Sequence, residues 1–245
     1  MESTLFYFHR NNISSFAIIN YIYRTNIIKT RKPMLTDSEI VTLMQDNEVL
    51  NASLELKKEF LRAEAQFLDI GDDDFVSLML LAPSVGIALA NGSISLFEEL
   101  SLNKKARFLS RGSYFLKKDP IVHGLKYLVK HFDQWEERCY AFVKAVMLST
   151  LNKNKFVYAA LTNPESTTGD LSQDILNAPY ILVKFISFMF LEEEDDLLNA
   201  SMISEVELKK VQEIGEKLGL GEMPLFKLFY DSFELKKEGE GGFLS

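Results

Sequence analysis

Cysteine is nearly absent from this sequence, with Cys139 alone among 245 residues. A single cysteine forms no intramolecular disulfide and builds no Cys-based zinc site, and such usage fits a reducing compartment. Histidine is also scarce: His9, His123 and His131 are the three present. His123 and His131 are eight apart, about 80° around a helix, whereas zinc-binding helices set histidines four apart. Six prolines and twelve glycines are few for this length, which disfavours a turn-rich β protein and favours helices. Glycine-rich phosphate loops, nucleophile elbows and HExxH motifs are missing, so the motifs point away from an enzyme.

Long apolar runs are limited as well. The apolar part of the first 33 residues, about 13–28, is interrupted by Asn20 and Arg24 and is short for a membrane span. It has no clean signal-peptide core or cleavage site. Residues 1–33 are expected to be a poorly ordered or spurious extension ahead of Met34; an amphipathic anchor is the alternative. They carry Arg10, Arg24, Lys29, Arg31 and Lys32 against Glu2, so +4 of a total −8, which leaves −12 on the rest. An acidic body argues against nonspecific nucleic-acid binding, which works by neutralising phosphates.

What is present reads as helix. Thr36-Asp37-Ser38-Glu39 has the form of a capping box and predicts a helix start, followed by an apolar stripe through Ile40, Leu43, Met44 and Leu50. Leu54, Leu56, Phe60, Leu61, Phe67 and Leu68 continue helical spacing, and Gly71 ends it. Residues 34–71 are therefore expected to form a helical hairpin. Asp72, Asp73 and Asp74 suit a helix N-terminus. The apolar run 75–90 predicts one buried helix, kinked or closely packed at Pro83 and Gly86.

After an Asn91-Gly92 break, Ser93 or Ser95 caps the next helix. Leu96, Leu100, Phe108 and Leu109 are expected to face inward, and Lys104, Arg107 and Arg111 to share an outer face. Asp119 and Pro120 predict another start, with Ile121, Leu125, Leu128 and Val129 apolar. Trp135, Cys139, Phe142 and Val146 read as core. Residues 150–179 read as an inserted loop, flexible or partly helical. An apolar helix at 180–191 is followed by five acids, Glu192 to Asp196. Leu208, Val211, Ile214 and Leu218 make an amphipathic helix stopped by Gly219 and Gly221. Phe226, Phe229, Tyr230 and Phe233 make a last aromatic one, and 236–245 is a frayed tail.

Two joins echo each other. Ala90-Asn91-Gly92-Ser93-Ile94-Ser95 leads to Glu98 and Glu99; Asn199-Ala200-Ser201-Met202-Ile203-Ser204 leads to Glu205 and Glu207. An apolar helix precedes each, and an amphipathic helix follows. Serine caps with acids in the first turn would produce this pattern in any two helix pairs. The first turn, Glu98 and the Leu218-Gly219-Leu220 ending also resemble the TerB-like domain of bacterial tellurite-resistance and related proteins. The resemblance covers roughly 72–235, with Asn91 where the family's first turn carries aspartate and Asn199-Ala200-Ser201 around the place of Ala-Asp-Gly in the second. It implies an all-α domain of two related halves, here about eight or nine helices with the 150–179 insertion.

By resemblance, the chain is a non-enzymatic cytoplasmic interaction or scaffold protein in a stress-related system. Acids of the family are linked to divalent cations, and the oxygen donors available here are Glu98, Glu99, Asp195, Asp196, Glu205 and Glu207, suited to Ca or Mg. Cation binding is the first alternative. A carrier or enzyme with an apolar pocket between helices is the second. The partner expected is a protein, with nucleic acid disfavoured. Peripheral membrane contact is also open, through Lys104, Arg107, Arg111, Lys117 and Lys118, with Lys126 and Lys130 extending the basic face.

Overall fold

A computed structural model of the chain describes residues 36–110, 119–152, 161–191 and 202–236. The expected extension 1–33, the tail 237–245, Arg111, Lys117, Lys118, Asp195 and Asp196 lie outside the described residues. The fold is all-α. Eleven α-helical segments occur among the described residues. A two-residue parallel ribbon accompanies them: Met202 pairs with Glu234 and Ile203 with Leu235.

Local chemistry sets the helix starts. α1 (Asp37–Leu43) opens with the expected box: Thr36 N donates to Glu39 Oε2 at 2.8 Å, and Glu39 N donates back to Thr36 Oγ1 at 3.4 Å. α2 (Asn47–Ala63) is capped by Asp46, whose other carboxylate oxygen accepts from Ser149 Oγ at 2.6 Å. Its buried stripe is Val49, Ser53, Leu56 and Phe60. Leu54 lies outside that stripe and is exposed. The helix stops before Phe67, which is 98% exposed on the following turn, so these two leave the expected apolar face.

The apolar run expected as one helix is two, α3 (Asp72–Leu80) and α4 (Ala82–Ala88), joined at Leu81. Pro83 sits in the first turn of α4. Its missing N–H and its ring prevent the helix of α3 from continuing unbroken through this point. α5 (Leu96–Leu109) and α6 (Pro120–Lys130) follow, the latter capped by Asp119 as expected. α7 (Phe132–Asn152) is the longest helix, with 21 residues. Within 150–179, a 3-10 turn (Pro164–Ser166) and α8 (Leu171–Asn177) make the described part of the expected loop partly helical. Asp174 shapes the turn before it by accepting from Thr167 Oγ1 and, at 2.8 Å, from Thr168 N. α9 (Tyr180–Phe190), α10 (Glu205–Leu218) and α11 (Pro224–Asp231) complete the order. Gly219 ends α10 at φ 78°, where Leu220 N reaches Gly215 O at 2.8 Å.

α7 is the axis. It packs against α2, α3, α4, α9 and α10. At its start, Trp135 stacks edge-on to Phe60 with ring centroids 5.2 Å apart, and its Nε1 donates to Glu64 Oε1 at 3.1 Å. Further along, Cys139, Phe142, Val143, Val146 and Met147 are buried, so the expected core face holds. α4 comes close to α7 at Gly86. A Cβ at Gly86 would stand 2.1 Å from Tyr140 Oη and 3.3 Å from Ile214 Cδ1 of α10. Only a residue without a side chain fits there.

Gly86→Ala is therefore expected to destabilise the protein by roughly 1–3 kcal/mol. The loss should be smaller in a Tyr140→Phe background, because the clashing oxygen is gone. Urea unfolding of the two single variants and the double variant measures this, and an unchanged midpoint for Gly86→Ala would show that α4 stands off from α7.

Candidate functional site

Each of the two joins opens a 14-residue helix with a reciprocal box. Ser95 N donates to Glu98 Oε2 at 2.6 Å, and Glu98 N to Ser95 Oγ at 3.3 Å. Ser204 N donates to Glu207 Oε2 at 2.7 Å, and Glu207 N to Ser204 Oγ at 3.2 Å. Of the expected oxygen donors, Glu98 and Glu207 thus serve first as caps. Glu205 pairs with Lys209 at 2.6 Å, and that hydrogen bond holds its carboxyl below the ordinary glutamate range. Glu99 is exposed. No group of three His, Cys, Asp or Glu among the described residues is placed to hold a metal ion.

Glu98 and Glu207 do meet around one small cleft. Ser84 and Ala88 of α4, Leu102 and Lys105 of α5, and Met189 and Phe190 of α9 line it with them. Its volume is about 60 Å³, far below the roughly 300–1,000 Å³ of small-molecule sites. Lys105 is buried there. Its Nζ donates to Ser84 Oγ at 2.9 Å and to Phe188 O at 3.0 Å. Ser84 Oγ in turn donates to Met189 O at 3.0 Å. A cation at the C-terminal end of α9 is favoured by the helix dipole and satisfies carbonyls that the helix leaves open. The cleft is a junction of four helices, α4, α5, α9 and α10, rather than a pocket for a lipid or planar cofactor.

A second polar cluster joins α7 to α10. Lys210 Nζ lies 2.6 Å from Glu136 Oε1, and Lys217 Nζ lies 2.6 Å from Glu137 and 2.7 Å from Glu213. Hydrogen bonding to Lys217, against a smaller opposing effect of burial, holds the Glu213 carboxyl below its ordinary value. Partial burial disfavours the Lys217 ammonium, but Glu137 and Glu213 outweigh it and raise its pKa. Beneath the cluster, burial above all, then the nearby Glu136 charge, pushes the Tyr140 phenol far upward, so it stays protonated.

The remaining candidates are structural in their contacts. Cys139 is fully buried with Sγ 3.6 Å from Met79 Sδ, and burial pushes its thiol up to about 12. It is therefore a poor nucleophile at neutral pH. His131 Nε2 lies 3.3 Å from Glu64 Oε2, and His123 stacks on Tyr127 at 5.4 Å. The two histidines are not brought together with other ligands.

α5 departs most from expectation. Its buried residues are Leu102, Lys105, Ala106 and Leu109. Leu96, Leu100 and Phe108, expected inward, are 68%, 56% and 53% exposed, and Phe97 is 83% exposed. Lys104 and Arg107 are exposed beside them, as expected. The helix carries two apolar stripes, one on either side, and Leu102-Ala106-Leu109 fits the narrow approach to α3, α4 and α6. At 100° per residue, Leu96, Arg107, Leu100, Lys104, Phe97 and Phe108 fall within an arc of about 120°. A depression lined by Leu100, Asn103, Lys104, Arg107 and Phe108 opens on this face. The signal was present in the sequence as an excess of large apolar residues over what one stripe can use.

Ser95→Ala and Ser204→Ala are each expected to lower stability by about 1 kcal/mol through loss of the cap, read as a shift in urea midpoint with unchanged slope. A pH effect follows from Glu213. A carboxyl with a depressed folded pKa stabilises the fold above its unfolded value, and that contribution fades as pH falls through the folded one. The melting-temperature gap between wild type and Glu213→Gln should thus be widest above 4.5, the ordinary glutamate value, and should close in more acidic solution. A gap independent of pH would remove the ion pair as its cause.

Comparison with known proteins finds no matching family model, no matching curated protein and no matching solved structure.

Proposed function

We propose that the chain is a non-enzymatic, cytoplasmic interaction module of TerB-like type that presents the outer face of α5 to a partner. One observation carries this: four large apolar side chains on one helix, Leu96, Phe97, Leu100 and Phe108, are exposed together. Isolated apolar residues on a surface are ordinary, but a contiguous group with a charged rim marks an interaction site. Burial of the same helix by its opposite face, with Lys105 locked to Ser84 and Phe188 O, makes the platform rigid. A rigid element presenting exposed side chains loses little conformational entropy on binding.

The TerB-like assignment is supported by the paired serine boxes, by Gly92 at φ 82° in the first turn and by Gly219 at φ 78° in the Leu218-Gly219-Leu220 ending. The Asn91-Gly92 turn and both caps are what that family pattern asks of the backbone. By that resemblance, α4–α5 and α9–α10 are the two related helix pairs. Among the described residues no helix is long and apolar enough to cross a membrane.

Phe97→Ser with Phe108→Ser should leave the melting temperature within a few degrees of wild type, because both side chains are already exposed, and should abolish association. Cross-linking of wild type and variant in native lysate, followed by mass spectrometry, tests this. Identical cross-linked profiles would remove α5 as the interaction face.

A further inference from the structure

We propose that Asn91-Gly92 is a self-modifying site, at which the Gly92 main-chain nitrogen displaces ammonia from the Asn91 side chain and leaves an aspartyl or isoaspartyl residue ahead of α5. The site stands apart from the reading of α5 as an interaction face. It is the one Asn-Gly pair in the chain. Attack on a side-chain amide needs that amide in water, a following nitrogen that can swing toward it, and no side chain shielding that nitrogen. The turn between α4 and α5 supplies all of these. Asn91 is exposed, and its amide has no partner among the described residues. Gly92 is exposed at φ 82°, and a Cβ built on it would meet no atom within 4 Å. Glycine leaves its nitrogen uncovered and reaches the backbone angles that ring closure demands. One bond opposes the attack: Gly92 N donates to Leu89 O at 2.9 Å. It is a single turn bond at the surface, just beyond the end of α4, where water replaces Leu89 O on local opening at little cost.

The step balances with water as its sole co-reactant. The Gly92 nitrogen gives its proton to water or hydroxide and bonds to Asn91 Cγ. The Cγ–Nδ2 bond breaks, and the leaving amide takes up a proton and departs as ammonia. A cyclic imide remains, with no N–H to give to Leu89 O. Water then adds at either imide carbonyl. Opening at Cγ gives aspartate; opening at the main-chain carbonyl gives isoaspartate, whose chain runs through Cβ. Either product adds a negative charge, and isoaspartate also lengthens the α4–α5 connection by one carbon. Other asparagines lack this combination. Asn51 is equally exposed but lies in the body of α2, where the Ala52 nitrogen is held in the helix ladder beside its own Cβ. Asn163 precedes Pro164, whose nitrogen has no proton to lose. Conversion strikes the turn that closes on Leu89 O, so it loosens the end of α4.

The test keeps the full chain folded in mildly alkaline buffer made with heavy-oxygen water and follows it by peptide mass mapping over time. The peptide holding Asn91 should show a species lighter by one ammonia, then one whose amide has become a carboxylate carrying a single heavy oxygen. Isoaspartate should be the larger share of the product. The peptide holding Asn51 should stay unchanged over the same interval. Asn91→Gln should abolish the conversion, because the larger ring closes far more slowly. Gly92→Ala should slow it at least about tenfold. Alanine at φ 82° is strained, so melting curves check that variant, and Asn91→Gln, free of that strain, decides if it does not fold. Converted protein should melt below fresh protein; equal melting of the two overturns the effect on α4. An intact Asn91 in the folded chain, after a synthetic peptide of the same sequence has converted fully, overturns the site. So does conversion at Asn51 at the same rate, which would mark general unfolding. Aspartate formed without isoaspartate overturns the attack by Gly92 N, since direct hydrolysis yields aspartate alone.

Discussion

The described part of this protein depends on how closely α4 can approach α7. The missing side chain at Gly86 leaves space for the Tyr140 hydroxyl, and Ile214 of α10 and Phe132 of α7 close in around it. α4 has only seven residues, yet it touches α5, α7, α9 and α10. A short helix at such a crossing cannot be displaced without parting several others. Pro83 contributes by breaking the preceding run, so that α4 takes a direction of its own instead of prolonging α3. Lys105 then ties the remaining two helices to α4 through Ser84 and the end of α9.

That junction explains the unusual economy of α5. A helix held by a narrow stripe of Leu102, Ala106 and Leu109 and one buried cation has most of its circumference left over. Ordinarily the remainder is polar. Here it holds Phe97 and Phe108 instead, which serve no packing role within the described residues and leave apolar surface in water. A fold under no other demand would exchange them readily for polar residues at little cost in stability.

Much of the local structure was legible in the sequence. Thr36, Asp119 and Ser204 cap where their neighbours said they would, and Ser95 is the actual cap of the two serines that could have served. Caps are legible because donor and acceptor lie within three residues of each other. The inward side of α5 was not legible, since Leu96, Leu100 and Phe108 have as good a spacing as Leu102 and Leu109, and only tertiary neighbours decide between them. The break at Leu81 was read as a kink, because apolar character persists on both sides of it. The meeting of Glu98 with Glu207 near Lys105 could not be read at all: it depends on α5 and α10 both reaching the end of α9. Of the acids singled out as oxygen donors, local spacing revealed their caps, while long-range packing decides which of them share a cleft.

The Glu39 carboxylate that caps α1 also has a history in time. Glu39 of α1 and Lys184 of α9 form an ion pair at 2.5 Å across 145 positions of sequence. During synthesis α1 leaves the ribosome early and can settle on α3, its near neighbour in the chain. Its charged partner is not made until on the order of ten seconds later. Throughout that interval the Glu39 carboxylate also holds its own helix start through Thr36. The same side chain therefore begins as a local cap and ends as a clasp between α1 and α9.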